Sequence, residues 1–88
     1  MEDMIGQSLS VDDVVIWPDG NARYGGLKIR IGIIVRLTGG RAYVASAPLL
    51  FNAKSKVKHS HKTFPKILKI LPTPEYSDVL EFIRSDIE

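Results

Sequence analysis

Leu27-Lys28-Ile29-Arg30-Ile31-Gly32-Ile33-Ile34-Val35-Arg36-Leu37-Thr38-Gly39-Gly40-Arg41-Ala42-Tyr43-Val44-Ala45-Ser46 is the stretch that decides the fold. Apolar side chains at 27, 29, 31, 33, 35 and 37 alternate with Lys28, Arg30, Gly32, Ile34, Arg36 and Thr38. Period-two alternation predicts a strand with one buried and one largely solvated face. Gly32 in mid-strand predicts a bend or bulge. Gly39-Gly40 predicts a two-residue hairpin turn of the primed kind, which needs positive φ. The return strand is Arg41 to Ser46. Its register then pairs Leu37 with Ala42 and Val35 with Val44 inward, and Arg36 with Tyr43 and Thr38 with Arg41 outward. Lys28 and Arg30 lie further along that outer face unless Gly32 turns them away.

N-terminal to this hairpin, Leu9-Ser10-Val11-Asp12-Asp13-Val14-Val15-Ile16-Trp17 is rich in β-branched residues and predicts a first strand. Pro18-Asp19-Gly20-Asn21 ends it as a turn, and residues 22–26 continue as loop. Residues 1–8 show no periodicity and are expected to fray. C-terminal to the hairpin, Ala47-Pro48-Leu49-Leu50-Phe51 is apolar and broken by proline. Residues 52–62 are polar and basic, and predict a long mobile loop. Thr63 to Leu71 predicts a further strand, with Pro65 placing its start at a sheet edge. Thr73 as N-cap, Pro74 at the first helical position and Glu75 in the first turn open a helix over 73–87. Tyr76, Val79 or Leu80, Ile83 and Ile87 give that helix one apolar face.

These elements amount to one mainly β domain with one C-terminal α-helix, the size expected of 88 residues. Hydrophobic residues make up 44% and charged residues 25%, a globular composition. There is no cysteine, which excludes disulfides, thiolate nucleophiles and cysteine metal sites, and fits a reducing cytoplasm. No apolar run reaches the roughly 20 residues of a membrane span. Met1-Glu2-Asp3-Met4 is acidic, unlike the start of a secretory signal.

The net charge of +2 conceals a strong segregation. Residues 1–19 carry five acids and no Lys or Arg. Residues 20–74 carry eleven bases and no acid, and residues 75–88 carry five acids with Arg84. Either the acidic ends fold back over the basic centre, or the centre faces an anionic partner.

Leu9-Ser10-Val11-Asp12-Asp13-Val14-Val15-Ile16, then Ile31-Gly32-Ile33-Ile34-Val35-Arg36-Leu37, then Arg41-Ala42-Tyr43-Val44-Ala45, resembles the opening of small KOW-type barrels. Gly32 matches the glycine of that family's second strand, whereas Asp12 stands where its first strand usually has glycine. The resemblance covers about half the chain. It implies a curled, Src-homology-3-like antiparallel barrel over residues 9–71 and a binding role toward RNA, DNA or a protein complex. The layout is also similar to small accessory proteins of tailed phages.

The candidate ligand contacts are Lys54, Lys56, Lys58 and Lys62, which would neutralise phosphates and release counterions. Arg36, Arg41 and Tyr43 adjoin them on the sheet face, with Tyr24 beside Arg23 as a stacking aromatic. Trp17 reads as a core or rim residue. His59-Ser60-His61 has the spacing of two metal ligands on one strand face, but no acid or cysteine is near to complete a site. Adjacent Asp12 and Asp13 point to opposite faces of a strand and cannot act as a pair. Ser60 has no acid nearby to orient either histidine, and no Gly-x-Ser-x-Gly is present. The expectation is a non-enzymatic module without cofactor or metal. Its partner would be nucleic acid or an acidic protein surface, unless the acidic helix of one copy meets the basic loop of the next in a homo-oligomer.

Overall fold

The computed structural model describes residues 2–19, 28–49 and 54–87. The chain runs β1 (Val14–Asp19), β2 (Lys28–Thr38), β3 (Arg41–Pro48), β4 (Lys58–Thr63), β5 (Leu68–Ile70) and α1 (Ser77–Ile87). Short 3-10 turns at Phe64–Lys66 and Pro74–Tyr76 precede β5 and α1. The five strands form one antiparallel sheet in the order β4-β3-β2-β1-β5.

The central hairpin follows its sequence pattern, with Arg36 opposite Tyr43, Leu37 opposite Ala42 and Thr38 opposite Arg41. Two details differ. Of the two turn glycines only Gly40 has a left-handed φ, +81°, which is the pattern of a type II rather than a primed turn. The bulge lies between Ile34 and Arg36, so Ile34, not Val35, opposes Val44. Gly32 has a different task. A Cβ there would stand 2.4 Å from Val44 Cγ1 and 3.0 Å from the Ala45 carbonyl, so only glycine lets β3 approach this closely.

The expectation of one buried face on β2 is overturned, because Ile31, Gly32, Ile33 and Ile34 are all buried. The sheet is covered on both sides. On one side Val14, Ile31, Ile33, Ala45 and Ala47 pack against Val79, Leu80 and Ile83 of α1. On the other, Val15, Trp17, Ile34, Ala42 and Val44 enclose Leu9 and Ile67, with Phe64 and Leu37 against them. At roughly 25 cal/mol per Å² of apolar surface, these two clusters supply the main driving force for folding.

A short tether forces the curl. Only Phe64–Ile67 connects β4 to β5, the two edges of the sheet. Flat strands about 4.8 Å apart would set those edges roughly 19 Å from one another. The tether spans less than that, since most of it is a 3-10 turn rising about 2 Å per residue. The sheet therefore bends around Ile67, which is fully buried.

The curl does not close into the expected barrel, because the outer edge of β5 is already occupied. Lys69 N–H donates to Asp3 Oδ2 at 2.7 Å, Gln7 Nε2 donates to the Lys69 carbonyl at 3.0 Å, and Met4 N–H donates to the Ile67 carbonyl at 2.9 Å. Asp3 also accepts from the Ile5 and Gln7 backbone N–H groups and from Gln7 Nε2. Burial pushes the Asp3 carboxyl up, but these donors more than offset it and hold Asp3 below its ordinary value. Residues 2–8, expected to fray, thus form a fixed edge cover, turning at Gly6 with φ +84°.

The remaining boundaries shift for local reasons. Residues 10–13 are a turn rather than strand. Asp12 adopts φ +76°, and Asp12 N–H and the Asp13 carbonyl bond the Ile34 backbone beside the bulge. Residues 58–62, expected in a loop, form β4 together with Thr63. Pro65 interrupts the strand expected over 63–71, leaving the 3-10 turn and the three residues of β5. Thr73 caps without a side-chain hydrogen bond, and α1 proper starts at Ser77. Among the described residues, no helix is long and apolar enough to cross a membrane.

Candidate functional site

β4 contains no acid: Lys58-His59-Ser60-His61-Lys62-Thr63. Strand alternation sorts it by chemistry. His59 lies opposite Ala45, and His61 opposite Tyr43, on the face that carries α1. Lys58 lies opposite Ser46, and Lys62 opposite Ala42, on the other face.

On the helix-bearing face, Arg36, Tyr43 and His61 form a row across β2, β3 and β4. The Arg36 guanidinium carbon is 5.6 Å from the centre of the Tyr43 ring. The His61 ring centre is 4.8 Å from that of Tyr43, tilted by 53°, and His59 stacks on Tyr43 at 5.9 Å and 29°. Tyr43 is half-buried by these neighbours, whereas Arg36, Arg41 and His61 are exposed. His59 Nε2 meets Asp86 Oδ2 of α1 at 2.7 Å. Beside that contact, Ser55, Lys56, Val57, Phe82, Ser85 and Asp86 line an open groove of about 470 Å³.

On the opposite face Lys62 Nζ lies 5.3 Å from the centre of the Trp17 ring. Trp17 is buried, and its Nε1 has no hydrogen-bond partner among the described residues. Arg30 Nε and Nη2 donate to the Ser46 hydroxyl and carbonyl, each at 3.1 Å. The bulge after Ile34 moves Arg36 to the face opposite Arg30.

The structure therefore divides the expected basic surface. Arg36, Arg41 and Tyr43 come together, joined by His59 and His61. Lys58 and Lys62 lie across the sheet from them. Lys54 and Lys56, both exposed, precede β4, and Lys56 lines the groove. Tyr24 lies outside the described residues.

The acidic ends fold back only in part. Asp13 Oδ2 lies 3.4 Å from Lys69 Nζ, which also donates to the Ser8 carbonyl. Asp86 takes His59. Among the described residues, no carboxylate is within ion-pair reach of Arg36, Arg41, Lys58 or Lys62. Nor do three His, Cys, Asp or Glu residues converge as a metal site among them.

A family model described as a domain of unknown function, DUF7205, matches residues 1–70. The chain belongs to the DUF7205 family. The match includes the N-terminal edge cover and all five strands, so α1 lies beyond it. No curated protein and no solved structure matches this DUF7205 chain.

Proposed function

We propose that this DUF7205 chain is a non-enzymatic nucleic-acid-binding module whose contact surface centres on the helix-bearing face of β2, β3 and β4. One observation carries the reading. Arg36 and Arg41 stand exposed on rigid strands beside Tyr43 and His61, with no described carboxylate to neutralise either guanidinium. Arginines held this way suit phosphate oxygens, since the planar fork is presented without ordering a loop. Lys58 and Lys62 extend the positive field across β4, and Lys54 and Lys56 extend it before the strand. Such a surface binds mainly through phosphates and is largely indifferent to sequence.

The finer reading of the fold, a Src-homology-3-like sheet of the KOW kind, rests on three features. The last strand returns beside the first, a bulge bends β2, and Asp12 holds the left-handed conformation that glycine would hold in the family pattern. The absence of cysteine supports a cytoplasmic setting.

Binding to fluorescent single- and double-stranded oligonucleotides across a salt series tests the proposal. A log–log slope of about −3 to −5 is expected, corresponding to roughly four to six neutralised phosphates. Arg36→Ala and Arg41→Ala should each reduce the slope by about 1. Failure to bind either oligonucleotide at low salt overturns the reading.

A further inference from the structure

The two edges of the sheet are treated differently. On β5, both backbone polar groups of Lys69 point away from β1 and are taken by Asp3 and Gln7. On β4, the backbone bonds inward to β3, and the Ser46 hydroxyl reaches the Lys58 carbonyl at 3.5 Å from that same side. Among the described residues, nothing bonds the outer side of β4. An antiparallel strand turns every second residue outward, so β4 presents a row of unpaired N–H and C=O groups. The strand has six residues, about 20 Å of edge, with Pro65 beyond its end.

We propose that the outer edge of β4 is a strand-pairing site for an acidic, extended segment of a partner protein. The backbone ladder requires an occupant with alternating donors and acceptors at strand spacing, which a peptide supplies and a phosphate backbone does not. The side chains select its charge. Lys58 and Lys62 flank one side of an added strand, and among the described residues no carboxylate lies within ion-pair reach of either; on the other side His61 stands exposed, whereas His59 already meets Asp86 of α1. A second copy of β4 is a poor occupant. An antiparallel pair centred on Ser60 sets Lys58 against Lys62, and like charges directly opposite destabilise a pair. Edge lysines thus discourage self-association while leaving the donors in place for a strand of opposite charge. This site does not depend on the nucleic-acid reading.

The test uses the full chain and a labelled peptide of about eight residues alternating glutamate and threonine. A second version is N-methylated throughout its central residues, which keeps the charge and removes the backbone donors. The parent peptide should bind, and the methylated one should bind at least about tenfold more weakly. New amide-exchange protection should fall within Lys58–Thr63. The proposal is overturned if neither peptide binds at low salt, if both bind equally, or if the protection appears at Leu68–Ile70.

Discussion

Asp3 Oδ2 accepts a hydrogen bond from the Lys69 backbone N–H at 2.7 Å, and this contact ties the start of the chain to the last strand. Four donors in all converge on one buried carboxylate. Protonation would weaken each of them. The folded Asp3 carboxyl titrates below its ordinary value, so its stabilisation is fully present above about pH 4 and is lost as pH falls through the depressed folded value. Urea midpoints for wild type and Asp3→Asn should differ by a constant amount at pH 5–7 and converge toward pH 2. Loss of the charged acceptor should cost about 2 kcal/mol at neutral pH. Equal midpoints at pH 6 would show that the charge of Asp3 contributes nothing.

Gly32→Ala should destabilise the fold by roughly 2–3 kcal/mol, because the new methyl collides with Val44 Cγ1 and the Ala45 carbonyl where β3 approaches β2 closely. Removing the clashing group should relieve part of this. In a double-mutant cycle, Gly32→Ala combined with Val44→Ala should be more stable than the sum of the single effects. Strict additivity would locate the strain elsewhere.

Asp12 holds a conformation that side chains resist, with φ +76°. Replacement by glycine usually destabilises, but here it should be neutral or stabilising by up to about 1 kcal/mol. Asp12→Val should cost about 1–2 kcal/mol, since a β-branched residue is strained there. Thermal melts of the two variants give opposite signs if the turn is as described.

The contact between His59 and Asp86 joins β4 to the last turn of α1 at a half-exposed site, so it should contribute less than about 1 kcal/mol. Asp86→Ala should leave the melting temperature nearly unchanged at high salt. It should strengthen oligonucleotide binding about two- to threefold at low salt, because a carboxylate leaves the neighbourhood of the cationic row. Weaker binding would show that Asp86 positions His59 for contact instead.

Ile83 is fully buried where α1 crosses the sheet. Ile83→Ala should cost about 2–5 kcal/mol, a large share of the stability of a small domain. A loss below about 1 kcal/mol in urea denaturation would mean that the docking of α1 contributes little to the core.

The hairpin and the amphipathic helix were legible because their signals are local: alternation, a Gly-Gly turn and 3.6-residue spacing. β4 was not, because Lys58-His59-Ser60-His61-Lys62 has none of the β-branched composition that marks a strand. Only pairing with β3 makes it one. The edge cover at residues 2–8 was hidden for a related reason. Asp3 meets Lys69, and no pattern within eight residues announces a bond to a strand that comes 66 residues later. The site was half legible. Arg36, Tyr43 and Arg41 follow from hairpin register alone. The place of His61 in the row, and the separation of Lys58 and Lys62 from it, required β4 and the bulge that register arithmetic did not anticipate.

The tether at Phe64–Ile67 has a mechanical consequence. Because it is short and anchored by a fully buried isoleucine, neither margin of the sheet can peel away by itself. Stripping β4 from β3 pulls on Ile67, whose carbonyl holds Met4 and whose neighbour begins β5. A disturbance at one rim of the molecule is therefore felt at the other without passing through the three strands between them.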